Sequence, residues 1–179
     1  MKLIGNSEIF HDVEYYESNI FIDDRGFFQK PFFGDLVSKK FNNSYEVLVS
    51  KSNKNVVRGL HFQTPPNDVE KIVFCLEGRI LDVFVDLRAQ SKTYKLHDSK
   101  ILEADIPNSI LIPKGFAHGF SVLSDTATVL YLQSKPFNQE SDSGIHYESI
   151  GINWHVNNPI ISEKDRNLPN LTNFQSPWS

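Results

Sequence analysis

The chain has 179 residues, enough for one domain with its own core but short for two. Its net charge is -4, from 18 basic and 22 acidic residues, and it has no basic stripe to neutralise a phosphate backbone, which argues against nucleic acid as a partner. No apolar run approaches the roughly 20 residues of a membrane span, so we expect a soluble, cytoplasmic protein with a single domain over residues 1–179.

Short strands dominate the predicted secondary structure, because apolar residues recur at every second position along most of the chain. A helix is predicted only at 34–40, with Asp35 as its N-cap. The predicted strands are 46–51, 71–76, 79–87, 95–101, 109–112, 116–122 and 128–133. Many short strands separated by Pro or Gly, with few helices, predict an all-β sandwich or barrel.

Two turns are predicted to close β-hairpins. Glu77-Gly78 separates strand 71–76 from strand 79–87, and residues 124–127 separate strand 116–122 from strand 128–133. In strand 79–87 the period of two puts the aliphatic side chains on one face and Asp82, Phe84 and Asp86 on the other. In the last strand, Tyr131 shares a face with Val129 and Gln133.

Chemically active side chains fall where predicted strands begin or end. Arg58, His61, Lys71, His118 and the segment 162–165 together supply imidazoles, ammoniums, a guanidinium and a carboxylate. This inventory suits acid-base chemistry on an anionic substrate. A metal site is disfavoured, because His61-Phe62-Gln63 lacks the second histidine of a metal-binding cupin pair and no acid clusters beside it.

A series of segments between about residues 20 and 171 resembles the dTDP-4-dehydrorhamnose 3,5-epimerase family, in the family's order. The segments are Phe21 to Phe28, Val57 to Gln63, Lys71 to Val73, Gly78 to Arg88, Ile112 to Phe120, Leu130-Tyr131, Gly151 to Trp154 and Ser162 to Asp165. The resemblance implies a double-stranded β-helix, the cupin-like jelly-roll barrel, with a few short helices. It also implies a homodimer that exchanges N-terminal strands, a nucleoside-diphosphate 4-keto sugar as substrate, and neither a metal nor an organic cofactor.

The same resemblance implies the catalytic roles. A proton on C3 or C5 is acidified by the adjacent C4 carbonyl, and epimerisation removes it and returns a proton to the opposite face. His61 resembles the family's base, Asp165 the carboxylate that orients it, and Tyr131 the acid on the other face. Lys71 would face the enolate oxygen, with His118 as a nearby hydrogen-bond donor.

Substrate-binding residues are implied in the same way. Arg25, Arg58 and Lys164 match positions that bind the substrate, with the arginines suited to phosphate. Asp142 falls where the family usually has a glutamate. Phe137 falls on the position of an aromatic residue, usually tyrosine, that stacks on the base.

Several positions depart from the family pattern. Lys30 stands where a glutamate is common on the exchanged strand, and Phe74 where an arginine is frequent. Residues 46–49, ahead of Ser50 and Ser52, lack the usual glutamine and asparagine. These departures leave open whether the nucleotide is dTDP, CDP, GDP or UDP, which sugar it carries, and whether C3, C5 or both are inverted.

Two other functions remain open at this stage. An isomerase of the same fold that moves the keto group would be expected to show a His-x-His type pair where this chain has His61-Phe62-Gln63. A non-catalytic cupin module would bind a nucleotide sugar without exchanging its protons. Individually, His61 could be a hydrogen-bonded strand residue, Arg25 a solvated turn residue and Lys164-Asp165 an exposed ion pair.

Overall fold

Two facing β-sheets make up most of the protein in the computed structural model, which describes residues 1–31, 34–41 and 46–178. The strands are β1 (Lys2–Asn6), β2 (Glu14–Glu17), β3 (Ile20–Asp23), β4 (Gly26–Gln29), β5 (Glu46–Asn53), β6 (Val57–Gln63), β7 (Lys71–Glu77), β8 (Arg79–Asp86), β9 (His97–Glu103), β10 (Asn108–Ile112), β11 (Phe116–Val122), β12 (Thr126–Gln133) and β13 (Asp142–Gly144). The helices are α1 (Gly34–Phe41) and α2 (Glu163–Arg166), with 3-10 turns at Tyr147–Ile150 and Leu171–Asn173.

The sheets form the jelly-roll barrel expected of a cupin-like fold. One sheet has the strand order β1-β2-β10-β7-β12-β5, and the other has the order β13-β6-β11-β8-β9. Every pairing between these strands is antiparallel. The hairpin of β3 and β4 forms a two-stranded sheet of its own.

The main core lies between the two sheets, where Phe84 and Phe120 of one sheet meet Val73, Ile110 and Val129 of the other. A second cluster covers the outer face of the five-stranded sheet. It contains the aliphatic side chains of β8 that the period of two placed on one face, together with Trp154 and Leu171 from the C-terminal segment. Alternation along β8 therefore feeds two separate clusters, which is why both of its faces are buried.

Both predicted hairpins are wrong. Strand β7 pairs with β10 and β12, whereas β8 pairs with β9 and β11, so each of the two turns carries the chain across to the opposite sheet. The turn at Gly78, where φ is 77°, packs against the second turn, since the Arg79 backbone N–H donates to Ser124 Oγ at 2.8 Å. A turn signal predicts that the chain reverses, but it cannot identify the strand that the next segment will join.

Most predicted element positions are confirmed. The predicted helix is α1, although the Asp35 side chain that we expected as its cap lies outside the described side chains. Strand β9 begins at His97 rather than at residue 95, because Lys95 has a left-handed φ of 65° in the preceding turn. In the described ranges, no helix has the length and apolar character needed to cross a membrane.

Candidate active site

A cavity of about 540 Å³ opens between the two sheets. Strands β5, β6, β7, β11 and β12 supply its walls, and residues 160–165 close one side. A smaller cavity of about 220 Å³ adjoins it, because His61, Lys71, Gln133 and Lys164 line both. Together they lie in the size range of pockets that hold small ligands, roughly 300–1,000 Å³.

His61 and Asp165 form a hydrogen-bonded pair at the edge of this cavity. His61 Nε2 lies 2.7 Å from Asp165 Oδ1, and the Gly59 backbone N–H donates to Asp165 Oδ2 at 3.1 Å. Asp165 is held in place by α2, where its backbone N–H donates to the N-cap Ser162 Oγ at 3.0 Å. Burial raises the pKa of Asp165, but the hydrogen bond and charge of His61 and the Gly59 N–H outweigh burial and lower it below its ordinary value.

A second histidine lies directly opposite the first, because β11 pairs with β6 in the register His118 to His61. His118 Nε2 lies 2.8 Å from Asp82 Oδ2, and both side chains are buried. Burial raises the pKa of Asp82, with the charges of His118 and Lys71 opposing that shift. Since Nε2 is engaged, His118 can meet a ligand only through Nδ1.

Tyr131 and Lys71 reach the cavity from neighbouring strands of the other sheet. The Tyr131 hydroxyl lies 3.1 Å from Ser50 Oγ, and burial raises its pKa well above the ordinary phenol value, partly offset by Ser50 and the charge of Arg58. Burial lowers the pKa of Lys71 to about 8, although the carboxylates of Asp142 and Asp82 oppose this. At neutral pH the cavity therefore holds a protonated phenol and a predominantly protonated amine.

Cationic and aromatic side chains surround the rim. Arg58 lines the large cavity with its Nε donating to Ser52 Oγ at 2.8 Å, and Lys164 forms an ion pair with Asp142. Phe137, with 55% of its surface exposed, lines the adjoining cavity. The residues predicted from the sequence thus converge on one site, with one exception.

The exception is Arg25, in the turn between β3 and β4. Its side chain is 89% exposed and pairs with Asp23, and it lines neither cavity. Lys30, which reverses a common family charge, lies just beyond β4, with its Nζ 6.0 Å from the centroid of the Phe28 ring. Within one chain, the hairpin and the cavity are separate.

Some residues that line the site were not predicted from the sequence. Ser50, Gln133 and the apolar pair Ile160 and Ile161 line the large cavity. The period of two placed Gln133 on the same strand face as Tyr131 but assigned it no role in the site, and nothing local marks residues 160–161 as a wall. Throughout the described ranges, no group of three His, Cys, Asp or Glu side chains is placed to share a metal ion.

One cavity of a jelly-roll barrel brings together two histidine–carboxylate pairs, a phenol and an amine. These are the groups of an enzyme that moves protons on a bound small molecule. The sequence model of the dTDP-4-dehydrorhamnose 3,5-epimerase family matches residues 8–173. The chain belongs to this family and is accordingly an isomerase.

Individual relatives agree in both sequence and fold. The chain is 40% identical over 168 residues to the dTDP-4-dehydrorhamnose 3,5-epimerase of Escherichia coli K12, covering 88% of each protein. The Bacillus anthracis enzyme, solved with TDP and pyrophosphate bound, is 36% identical with a TM-score of 0.86, and the match covers 95% of this chain and 99% of that one. The Legionella pneumophila enzyme, solved with dTDP-4-keto-L-rhamnose, is 31% identical with a TM-score of 0.90, over 98% of this chain and 97% of that one.

Proposed function

We propose that the protein epimerises C3, C5 or both in a nucleoside-diphosphate 4-keto-6-deoxy sugar, with a dTDP sugar as the first candidate. The observation that carries this proposal is the pairing of His61 with Asp165 in a cavity that also receives the Tyr131 hydroxyl. Family membership and relatives solved with TDP or a dTDP-linked keto sugar support the substrate class.

His61 acts as the base. A neutral imidazole removes the proton next to the C4 carbonyl, and Asp165 stabilises the imidazolium that forms. The electron pair of the broken C–H bond moves into an enolate whose oxygen meets the Lys71 ammonium. The His61 side chain is 32% exposed, so the proton it has taken can exchange with water.

Tyr131 acts as the acid on the opposite face of the sugar ring. Its pKa is raised by burial, so the hydroxyl keeps its proton at neutral pH and can donate it to the enolate carbon. Ser50 and Arg58 both favour the phenolate left behind, which makes the donation reversible. Because one proton is removed from one face of the ring and another is donated to the opposite face, the configuration at that carbon inverts.

The diphosphate and the base occupy the rim in this proposal. In addition to Lys71, the cationic side chains Arg58 and Lys164 line the large cavity. A guanidinium can bind phosphate oxygens through two parallel N–H donors. Phe137 offers an exposed ring for stacking on the base.

The functional form in this proposal is a homodimer that exchanges the β3–β4 hairpin. Phe21, Ile22, Phe27 and Phe28 of that hairpin are 58–81% exposed. An isolated two-stranded hairpin is marginally stable in water, and an apolar patch of this kind favours a partner surface. Docking on a second copy would cover the patch and carry Arg25 toward the partner's cavity.

The test is deuterium incorporation from heavy water into a panel of dTDP-, UDP-, CDP- and GDP-linked 4-keto-6-deoxy sugars, read by NMR at C3 and C5. The wild-type protein should introduce deuterium with inversion. His61→Ala should abolish both, because no enolate forms. Tyr131→Phe should still allow exchange with retained configuration, while inversion falls by about 10²-fold, the usual scale for a positioned acid.

Asp165→Asn provides the graded control. Deuterium exchange should persist but be slower, because the imidazole remains while no carboxylate fixes its tautomer or stabilises its positive charge. Full inversion by Tyr131→Phe, or unaltered exchange by His61→Ala, would falsify these roles. Binding of a nucleotide sugar by the wild-type protein without any exchange would identify a non-catalytic module, and migration of the keto group would identify a keto-isomerase.

A further inference from the structure

The segment that carries Phe137 is fixed at three consecutive residues. Pro136 accepts through its carbonyl oxygen, while Phe137 and Asn138 donate through their backbone N–H groups. All three bonds go to two side chains, Glu46 at the start of β5 and Gln63 at the end of β6.

Glu46 holds the segment from one side. Its Oε2 accepts from the Phe137 backbone N–H at 2.9 Å and from Gln133 Nε2, also at 2.9 Å. Gln133 lies opposite Glu46 in the pairing of β12 with β5, so this contact connects the sheet to the segment. A carboxylate oxygen that accepts two N–H bonds is a stronger anchor than a neutral acceptor.

Gln63 holds the segment from the other side. Its Oε1 accepts from the Asn138 backbone N–H at 2.6 Å, and its Nε2 donates to the Asn67 carbonyl at 2.7 Å and to the Pro136 carbonyl at 3.4 Å. Gln63 is only 6% exposed. Because Gln63 lies two residues after His61 on β6, the strand that carries the base also anchors the segment that carries the exposed ring.

We propose that Glu46 and Gln63 are positioning residues that hold the Phe137 ring at the rim as a preorganised stacking surface for the base of the nucleotide. The inference rests on the proposed function, because it assigns the ring to a nucleotide substrate. Neither side chain needs to contact the ligand. Both act by removing the cost of ordering residues 136–138 when the nucleotide binds.

The experiment is a double-mutant cycle on nucleotide affinity. Calorimetry with dTDP, UDP, CDP and GDP first identifies the nucleotide that the wild-type protein binds most tightly, and that nucleotide is the probe. Phe137→Ala should raise its Kd about 10-fold through the loss of stacking. Glu46→Ala should raise it about 5-fold in the wild-type background but less than about 2-fold in the Phe137→Ala background, since the ring it positions is gone.

Kinetics and a conservative variant separate positioning from general damage. Glu46→Ala should raise KM about 5-fold while kcat at saturation changes less than about 2-fold. Glu46→Gln keeps an acceptor oxygen at the same reach and should restore the affinity to within about 2-fold of wild type. Glu140→Ala, which removes an exposed carboxylate from the same loop, is the matched control for charge. Gln63→Ala should repeat the non-additive pattern from the other anchor.

Three results would overturn the inference while leaving the proposed function in place. They are additive losses of affinity in the double mutants, a Glu46→Gln variant as weak as Glu46→Ala, and a Glu140→Ala variant as weak as Glu46→Ala. Failure of the wild-type protein to bind any of the four nucleotides would overturn the proposed function and this inference together.

Discussion

Lys71 combines two properties that depend on its burial. In the proposed mechanism its ammonium meets the enolate oxygen, and burial lowers its pKa to about 8, against the opposing charges of Asp142 and Asp82. A lysine is charged below its pKa and neutral above it. The electrostatic contribution of Lys71 is therefore present at neutral pH and is lost as the pH rises through about 8.

We expect the kcat/KM of the wild-type enzyme to fall above a pH of about 8. Lys71→Arg should have a lower maximal rate but no fall in this range, because a guanidinium keeps its charge beyond a pH of about 12. The measurement is a pH profile of deuterium incorporation for both proteins. An identical alkaline fall in Lys71→Arg would assign it to another group; Tyr131 is excluded by its raised pKa.

Much of the site was predictable, partly from residue types, because proton transfer requires few kinds of side chain, and partly from the family resemblance, which alone pointed to Tyr131. His61, Lys71, His118, Tyr131 and Asp165 line the large cavity as expected. The anchors of residues 136–138 were not predictable, since Glu46 and Gln63 act through backbone groups that are distant in sequence. Phe137 alone gave no sign that its backbone is held from two strands.

Strands β6 and β11 place the two histidines side by side, and their close approach depends on a glycine. A Cβ on Gly119 would overlap the carbonyl oxygen of Arg58 and lie 3.2 Å from the Gly59 Cα. The register of the pair also shifts between His118 and Phe120. The spacing between the histidines is thus set by backbone contact.

Gly119→Ala should lower the free energy of unfolding by about 1–3 kcal/mol, the usual cost of overpacking. It should also lower kcat, because relief of the overlap displaces His61 or His118. The control is Gly151→Ala, where φ is 74° but the space around the Cβ is open. That variant should lose about 1–2 kcal/mol of stability, the usual cost of a Cβ at a left-handed φ, and keep its kcat. Denaturant unfolding and turnover, measured on both proteins, check this; an active Gly119→Ala would show that the strands can separate without disturbing the site.

Element types were easier to predict than element partners. The period of two identified seven strands, because successive side chains of a strand point to opposite faces. It did not reveal that β7 and β8, or β11 and β12, belong to opposite sheets. Two turns of ordinary composition, one at Gly78 and one at residues 123–125, transfer the chain between sheets. They contact each other through the Arg79 N–H and Ser124, and a contact between residues so distant in sequence is not revealed in advance.

At the scale of the whole molecule, the separation of the hairpin from the cavity is the feature that one chain leaves unexplained. The hairpin exposes four large apolar side chains, and β5 is an edge strand whose Val47 and Val49 are 50% and 62% exposed. Edges and patches of this kind favour association with another chain. The proposed exchanged dimer would account for both features and would give Arg25 a site to act in.

Complementation between two inactive variants tests that exchange directly. If Arg25 serves the partner's cavity, Arg25→Ala and His61→Ala should each be inactive or severely impaired as homodimers. Refolded together in equal amounts, they should form heterodimers in about half of the dimers, and one of the two sites in each heterodimer would have both native residues. The mixture should therefore recover about a quarter of wild-type turnover.

The control is a mixture of His61→Ala with Asp165→Asn, which alter two residues of the same cavity in the same chain. This mixture should show no activity beyond the residual activity of Asp165→Asn. Light scattering establishes the mass of each species. Recovery by the first mixture and not by the second requires that the hairpin of one chain complete the site of another. If turnover does not recover although heterodimers are present, Arg25 is a solvated turn residue. The cavity of the His61–Asp165 pair would then be served only by the cations of its own chain.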